Sequence, residues 1–163
     1  MTTEELRTSL LATKKNGYTR ITAEQKEEMN AYCKRYMAFM DACKTEREAT
    51  AWAIAEAEKY GFKPFIPGME AKPGDKIYYN NRDKAIALAV IGTDSLANGA
   101  NICAAHVDSP RMDLKPNPLY EDSEIAYFKT HYYGGIKKYQ WVTIPLALHG
   151  VVYRKDGTVV TVN

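Results

Sequence analysis

The sequence is short of the features that mark several classes of protein. It has three cysteines, an odd number, at positions 33, 43 and 103, which favours free thiols in a reducing cytoplasm over a disulfide framework. The first residues lack the basic start and apolar run of a signal peptide. No apolar stretch approaches the ~20 residues that cross a bilayer. These absences predict a cytoplasmic protein with no membrane partner.

An excess of charge of one sign is also missing. The 163 residues include 22 Lys and Arg against 20 Asp and Glu, a net charge of +2, so no global field attracts nucleic acid. Residues 131–141, HYYGGIKKYQW, do interleave basic and aromatic side chains as single-strand nucleic-acid binders do. A packed β segment followed by a glycine turn is the other interpretation. The balanced charge favours the second interpretation and predicts no nucleic-acid partner.

The first sixty residues are predicted to be helical. A short polar helix over residues 3–15 precedes Gly17, and two later stretches, TAEQ at 22–25 and TERE at 45–48, have the form of capping boxes. The helix after the first box carries apolar residues spaced three and four apart, which predicts a packing face. That stripe consists of Met29, Tyr32, Cys33, Tyr36, Met37 and Met40.

Strand patterns follow from residue 76 onward. Segments 76–80 and 85–91 flank Asn80–Asp83, which suits a hairpin turn. Residues 125–133 form a long β-prone segment, and the Asp156–Gly157 pair predicts a further hairpin. The order predicts an α/β fold in which N-terminal helices are followed by a mixed sheet.

The stretch with the clearest chemical content is residues 100–113, ANICAAHVDSPRMD. Its apolar run, 102–105, predicts a strand buried on both faces that Pro110 terminates. His106 and Asp108 would then project to the same side. A metal-binding histidine is usually held this way, with one ring nitrogen on the metal and the other oriented by a carboxylate. Because a hydrogen-bonded core or rim histidine gives the same short pattern, the spacing alone leaves both readings open.

The longer sequence around His106 resembles that of a known protein family. Residues 104–118, AAHVDSPRMDLKPNP, resemble the metal-binding segment of the M18 family of zinc aminopeptidases, the aspartyl aminopeptidase family, and its clostridial-type branch in particular. The resemblance runs from about residue 45 to the C-terminus. Its other landmarks are the run His131–Gly135 (HYYGG), Trp141, Pro145, Leu146 and Gly150.

The resemblance implies an enzyme that removes N-terminal residues from peptides by metal-activated water at a site with two zinc ions. Carried over by motif, His106 is a metal ligand and Asp108 is the catalytic-site carboxylate that orients it. The family's bridging aspartate, its glutamate general base and its remaining ligands lie on segments beyond those matched here. The resemblance therefore implies an N-terminal portion that is inactive in isolation.

The resemblance also implies a domain division and an assembly. Residues 1–118 correspond to the first part of the metallopeptidase catalytic domain, and residues 119–163 to the start of an inserted, β-rich dimerisation domain. A homo-oligomer is the implied assembly. The alternative is a non-catalytic fragment that self-associates through the exposed strands of an unfinished domain.

Other candidate groups are given structural roles. His131 and His149 lie in segments with β-strand propensity, where a packed or solvated histidine is expected rather than a metal ligand. Ser109 precedes a proline at the predicted strand exit, and no base is placed to activate it as a nucleophile. Three acidic side chains predict a solvated turn: Glu121, Asp122 and Glu124.

Overall fold

A computed structural model describes residues 1–12 and 14–163 of the chain. The chain divides into two compact units, Met1–Ala38 and Phe39–Asn163. Each unit is described by itself below. Within the described residues, no helix combines the length and the apolar character needed to cross a membrane.

The first unit is helical. Helix α1 covers Thr3–Leu10 and begins with a capping box between Thr2 and Glu5. The predicted helix over residues 3–15 is therefore too long, because α1 ends at Leu10, and Thr13 lies outside the described residues. A 3-10 turn follows at Gly17–Thr19.

Helix α2, Ala23–Ala42, begins in the first unit and ends in the second. The predicted capping box is present, since the amide of Gln25 donates to Thr22 Oγ1 at 3.2 Å and the amide of Thr22 donates to Gln25 Oε1 at 3.0 Å. The predicted packing face of α2 is exposed, with Tyr32 at 63% and Met37 at 62% of full accessibility. Helical spacing fixes which residues share a face, but it does not supply a surface for that face to pack on.

Helix α3, Glu46–Lys59, contributes most of the buried residues of the second unit. Its predicted capping box is formed by Thr45 and Glu48. Ala49, Thr50 and Ala57 are buried, and α3 packs on the first sheet. The small side chains let the helix lie close to the strands.

The first sheet has three strands in the order β1 (Lys63–Pro64), β2 (Lys76–Asn81) and β3 (Ala85–Val90). Strand β1 pairs parallel to β2, whereas β2 and β3 form the predicted antiparallel hairpin. On β2, Tyr78 is buried and its hydroxyl donates to Glu58 Oε1 of α3 at 2.9 Å. This contact fixes the helix against the sheet. The prediction that N-terminal helices are followed along the chain by a mixed sheet is confirmed.

Two antiparallel hairpins follow. Strands β4 (Arg111–Asp122) and β5 (Ile125–Tyr133) pair along most of their length, with a register shift between Leu114 and Leu119. Pro116 and Pro118 lie within the shift, where a residue without an N–H cannot donate to the ladder. After the short helix α4 (Lys138–Trp141), β6 (Gly150–Tyr153) pairs with β7 (Val159–Val162) around the predicted Asp156–Gly157 turn.

The predicted buried strand over residues 102–105 is wrong for the described chain. Residues 101–110 have no strand assignment, and Ile102 is 86% exposed. A strand requires a hydrogen-bonded neighbour, and among the described residues β3 pairs only with β2. The apolar run has the composition of a buried strand, but no neighbouring strand among the described residues pairs with it, so it does not form one.

The predicted domain boundary between residues 118 and 119 falls inside β4, which continues to Asp122. The assignment of residues 1–118 and 119–163 to two functional domains stays a prediction.

Candidate functional site

His106 and Asp108 lie in the loop that leads into β4. The Nδ1 atom of His106 is 2.7 Å from the Asp108 carbonyl oxygen and 3.2 Å from Asp108 Oδ1. Both partners are acceptors when the carboxylate is ionised, so the ring proton is assigned to Nδ1. This tautomer leaves the lone pair on Nε2 available to a metal ion.

The two side chains differ in exposure. The His106 side chain is 81% exposed, whereas that of Asp108 is 28% exposed. The imidazole is therefore open to an incoming ligand on its Nε2 side. The carboxylate that holds it is the more enclosed member of the pair.

The charge of Asp108 is stabilised by its neighbours. A hydrogen bond from the Tyr133 hydroxyl is the largest cause that holds the pKa of Asp108 below its ordinary value of 3.8. The backbone amide of Asp108 lowers the pKa further, burial acts in the opposite direction, and the His106 ring adds a smaller lowering effect. The same hydrogen bond raises the pKa of Tyr133, because losing the phenolic proton beside a carboxylate is unfavourable.

The start of β4 and the end of β5 position Tyr133. Arg111 and Tyr133 are paired in the β4–β5 ladder, and the Arg111 guanidinium carbon lies 4.3 Å from the centroid of the tyrosine ring. Arg111 is in turn anchored by a hydrogen bond from its Nε to Asp113 Oδ1 at 2.7 Å. At the next residue, a Cβ atom at Gly134 would lie 3.3 Å from atoms of Pro110. The loop that carries His106 is therefore packed against the end of β5.

The other two histidines lie elsewhere. His131 is paired with Asp113 in the β4–β5 ladder and stacks on Tyr132, with ring centroids 5.5 Å apart. His149 Nδ1 lies 3.0 Å from Glu48 Oε1, in a cleft of about 210 Å³ that also includes Arg111. Neither contact involves His106. Across residues 1–12 and 14–163, no three His, Cys, Asp or Glu side chains are grouped so that they could hold a metal ion.

The acidic residues at the tip of the β4–β5 hairpin form a turn, as the sequence predicts. Ser123 and Glu124 have φ values of 54° and 65°, and the amide of Glu124 donates to Glu121 Oε1 at 2.7 Å. The carboxylate of Glu121 thus satisfies a backbone donor of the turn.

The sequence did not predict that Tyr133 would interact with the loop that carries His106. It also did not predict that Glu48 would contact His149. The aromatic run at 131–133 indicated a β segment and a landmark of the family resemblance, but no contact with the His106 loop, and Glu48 was assigned only to a capping box. The spacing of the residues along the chain carries no information on these contacts, because each is made between separate elements.

Comparison with known proteins adds the family. Residues 39–163 match the model of the Peptidase_M18 family, described as "Aminopeptidase I zinc metalloprotease (M18)". A curated relative from Clostridium acetobutylicum, named "Probable M18 family aminopeptidase 1", is 49% identical over 157 residues, which is 94% of this chain and 34% of that protein.

Solved structures give the same result. The crystal structure of aminopeptidase I from Borrelia burgdorferi B31 matches with a TM-score of 0.87 and 42% identity, over 91% of this chain and 37% of that chain. The M18 aminopeptidase from Thermotoga maritima matches with a TM-score of 0.83 and 43% identity, over 93% and 33%. The chain spans about a third of the length of the relatives it matches. On the match to most of its length, the chain belongs to the M18 family of aminopeptidase I zinc metalloproteases.

Proposed function

We propose that this chain supplies one zinc ligand, His106, and the carboxylate that orients it, Asp108, to the active site of a zinc aminopeptidase. The observation that carries the proposal is the arrangement of the imidazole. Its Nδ1 is engaged by two oxygen atoms of Asp108, while the side chain is 81% exposed. A neutral imidazole held in this way fits zinc as one donor.

The described residues fit only part of a zinc site. Zinc in proteins is usually bound by three or four protein ligands, and the described residues contain no group of three potential donors. Because the chain spans about a third of the length of its relatives, we propose that the remaining donors belong to segments outside that matched third. The two-ion count rests on the resemblance of residues 104–118 to the family's metal-binding segment.

The chemistry proposed for the site is hydrolysis of the first peptide bond of a substrate with a free amino terminus. Bound zinc would lower the pKa of a water molecule and polarise the scissile carbonyl. The task of Asp108 is to accept a hydrogen bond from Nδ1–H of His106, so that the proton stays on Nδ1 and Nε2 keeps its lone pair. Its lowered pKa supports that task, because the carboxylate stays ionised at neutral pH.

Substrate class, assembly and location are parts of the same proposal. Peptides with a free N-terminus are proposed because the relatives are named aminopeptidases. A homo-oligomer and a cytoplasmic location are proposed from the family resemblance and from the cysteines, all three of which are free thiols.

A chimaera tests the proposal. This chain would replace the matching third of the Clostridium acetobutylicum relative, and the hydrolysis of amino-acid amides and the zinc content would be measured. His106→Ala should lower turnover at least about 100-fold and reduce the bound zinc, because a direct ligand is lost. His131→Ala is the matched control, since it removes an imidazole that contacts Tyr132 and not His106. Wild-type turnover and zinc content in the His106→Ala chimaera would contradict the proposal.

Self-association without catalysis is the second candidate function. Apolar side chains of the β4–β5 hairpin are open to solvent, with Leu119 at 67% and Phe128 at 55% exposure, and they are paired across the ladder. Such a strip favours contact with another chain. A clean monomer in size-exclusion chromatography over a wide range of concentrations would contradict this alternative.

A further inference from the structure

One edge of the first sheet is unprotected. Strand β3, Ala85–Val90, lies at the end of the sheet order β1–β2–β3, so among the described residues only one of its two edges is paired. Its six residues, AIALAV, include no charge and no proline, which natural edge strands use to prevent pairing with another chain. The other edge of this sheet is β1, whose two residues are Lys63 and Pro64. Strand β3 therefore has the composition of an interior strand.

The backbone groups that β3 presents at its open edge follow from the pairing of β2. The carbonyl of Tyr78 accepts from the amide of Phe65 at 2.7 Å, on the β1 side of β2. Leu88 lies opposite Tyr78 in the β2–β3 ladder, so the backbone groups of these two residues point away from each other. The amide and carbonyl of Leu88, and by alternation those of Ile86 and Val90, are directed to the open edge. The side chains of Leu88 and Val90 are 50% and 61% exposed.

The loop that carries His106 contains a second unpaired apolar run. Residues 102–105, ICAA, are exposed and have no strand assignment, although their composition is that of a strand buried on both faces. They are not paired with β3, whose only partner among the described residues is β2. The second unit thus presents two segments of interior-strand composition that both lack a neighbouring strand.

The core of the second unit is also small. A domain of this size ordinarily buries about two-thirds of the surface that its unfolded chain exposes. Within residues 39–163 the structure buries only Ala49, Thr50, Ala57 and Tyr78. All four lie on α3 and β2, so β3 and residues 102–105 contribute no buried residue. Their apolar side chains and backbone groups remain available to another polypeptide segment.

We propose that the open edge of β3 and residues 102–105 form a docking surface for the part of an M18 polypeptide that this chain does not match, and that residues 102–105 become a strand when it binds. The relatives are about three times as long as this chain, so that part is long enough to pair with both segments. A second copy joined through β3 alone would leave residues 102–105 unpaired. The proposal rests on the proposed function only for its consequence, that His106 would then follow a paired strand.

Amide hydrogen exchange tests the docking surface without metal or substrate. The isolated 163-residue chain is compared with the chimaera in which it replaces the matching third of the Clostridium acetobutylicum relative, and mass spectrometry resolves exchange to single residues. In the isolated chain the amides of Leu88, Val90 and residues 102–105 should exchange rapidly. In the chimaera they should exchange at least about 100-fold more slowly, because strand pairing protects amides.

The amides of Ala87 and Ala89 are the internal control, because by the same alternation they face β2 and are protected in both proteins. Exchange at either segment of the docking surface that is as fast in the chimaera as in the isolated chain would overturn the proposal. Protection that appears in the isolated chain as its concentration rises would also overturn it, because the occupant would then be a second copy.

Co-expression covers the case in which the chimaera does not fold. The tagged chain is produced together with the remaining two-thirds of the relative, and the amount that co-purifies is measured. Leu88→Pro removes an amide that faces the open edge and none that pairs with β2, so it should reduce that amount at least about 10-fold. Leu88→Ala is the matched control, because it keeps the amide and should retain most of the partner. No co-purification with the wild-type chain, or equal loss in both variants, would overturn the proposal.

The outcomes separate this proposal from the proposed function. Exchange and co-purification require no bound zinc, so their failure leaves a zinc-binding His106 intact. Conversely, a His106→Ala chimaera with wild-type turnover and zinc content would contradict the zinc role, while protection of Leu88 and of residues 102–105 could still be detected.

Discussion

At the scale of single residues, what matters is which nitrogen of an imidazole is occupied. Asp108 engages Nδ1 of His106 through both its carbonyl and its carboxylate, so the free nitrogen is Nε2. His149 is also engaged at Nδ1, by Glu48, but its side chain is only 15% exposed. One histidine is thereby available to an external ligand, whereas the other joins two parts of the same unit.

The Glu48 carboxylate has a double role. It closes the capping box of α3, accepting from the amides of Lys44 and Thr45 at 2.8 and 2.9 Å, and it also contacts His149. Burial of Glu48 acts to raise its pKa, but the hydrogen bonds from His149, Lys44 and Thr45 together outweigh burial and hold the pKa below the ordinary value of 4.5. The group is therefore more acidic in the folded state than in the unfolded state.

This lowered pKa predicts a pH-dependent stability. The contribution of Glu48 is fully present above pH 4.5 and is lost as the pH falls through the folded-state pKa, because the unfolded chain takes up the proton first. Urea unfolding of the wild type and of Glu48→Gln should therefore differ most near neutral pH and converge in acid.

The control for this prediction is Glu27→Gln, on α2, because Glu27 is exposed and accepts none of the side-chain hydrogen bonds found among the described residues. We expect this variant to differ little from the wild type in stability at both pH 7 and about pH 4. A Glu48→Gln variant whose stability deficit does not shrink in acid would count against the assignment.

At the scale of elements, the features set by neighbouring residues were predicted correctly, whereas a strand that needs a partner elsewhere in the chain was not. The capping boxes at Thr22 and Thr45 form as predicted, and so do the hairpin turns at Asn80–Asp83 and Asp156–Gly157. Each depends on residues no more than a few positions apart. The strand expected at 102–105 does not form, because a strand depends on a neighbour that its own sequence does not specify.

The contact between Gly134 and Pro110 gives a prediction at this scale. Gly134→Ala should destabilise the unit by about 1–2 kcal/mol, the cost of placing a side chain in the left-handed region. It should also shift the His106 and Asp108 NMR signals, because the added methyl group presses on Pro110 at 3.3 Å. Chemical unfolding and amide spectra measure the two effects.

Gly157→Ala is the matched control, because Gly157 has a φ of +87° but nothing within 4 Å of an added Cβ. It should show a similar loss of stability and leave the His106 and Asp108 signals in place. Equal shifts in both variants would mean that the Gly134 approach does not control the loop.

At the scale of the whole molecule, the chain matches about a third of each relative. If His106 is a zinc ligand, as we propose, this chain contributes one ligand to a larger site. This predicts that the purified 163-residue chain has no appreciable turnover of amino-acid amides and no stoichiometric zinc. Turnover assays and metal analysis by mass spectrometry check both, and a full complement of zinc with turnover would refute the proposed partial site.

The sequence by itself determined the helix starts, the hairpins and the family, because each depends on neighbouring residues or on a contiguous motif such as AAHVDSPRMD. It also placed His106 and Asp108 two positions apart, close enough for local contact. Only the tertiary structure decided that the loop before β4 packs against the end of β5, at Pro110 and Gly134, and that Glu48 reaches His149, 101 residues away. The physical reason is that these contacts depend on strand register and on the packing of a helix end beside a hairpin, and neither is encoded in the spacing of the residues that meet.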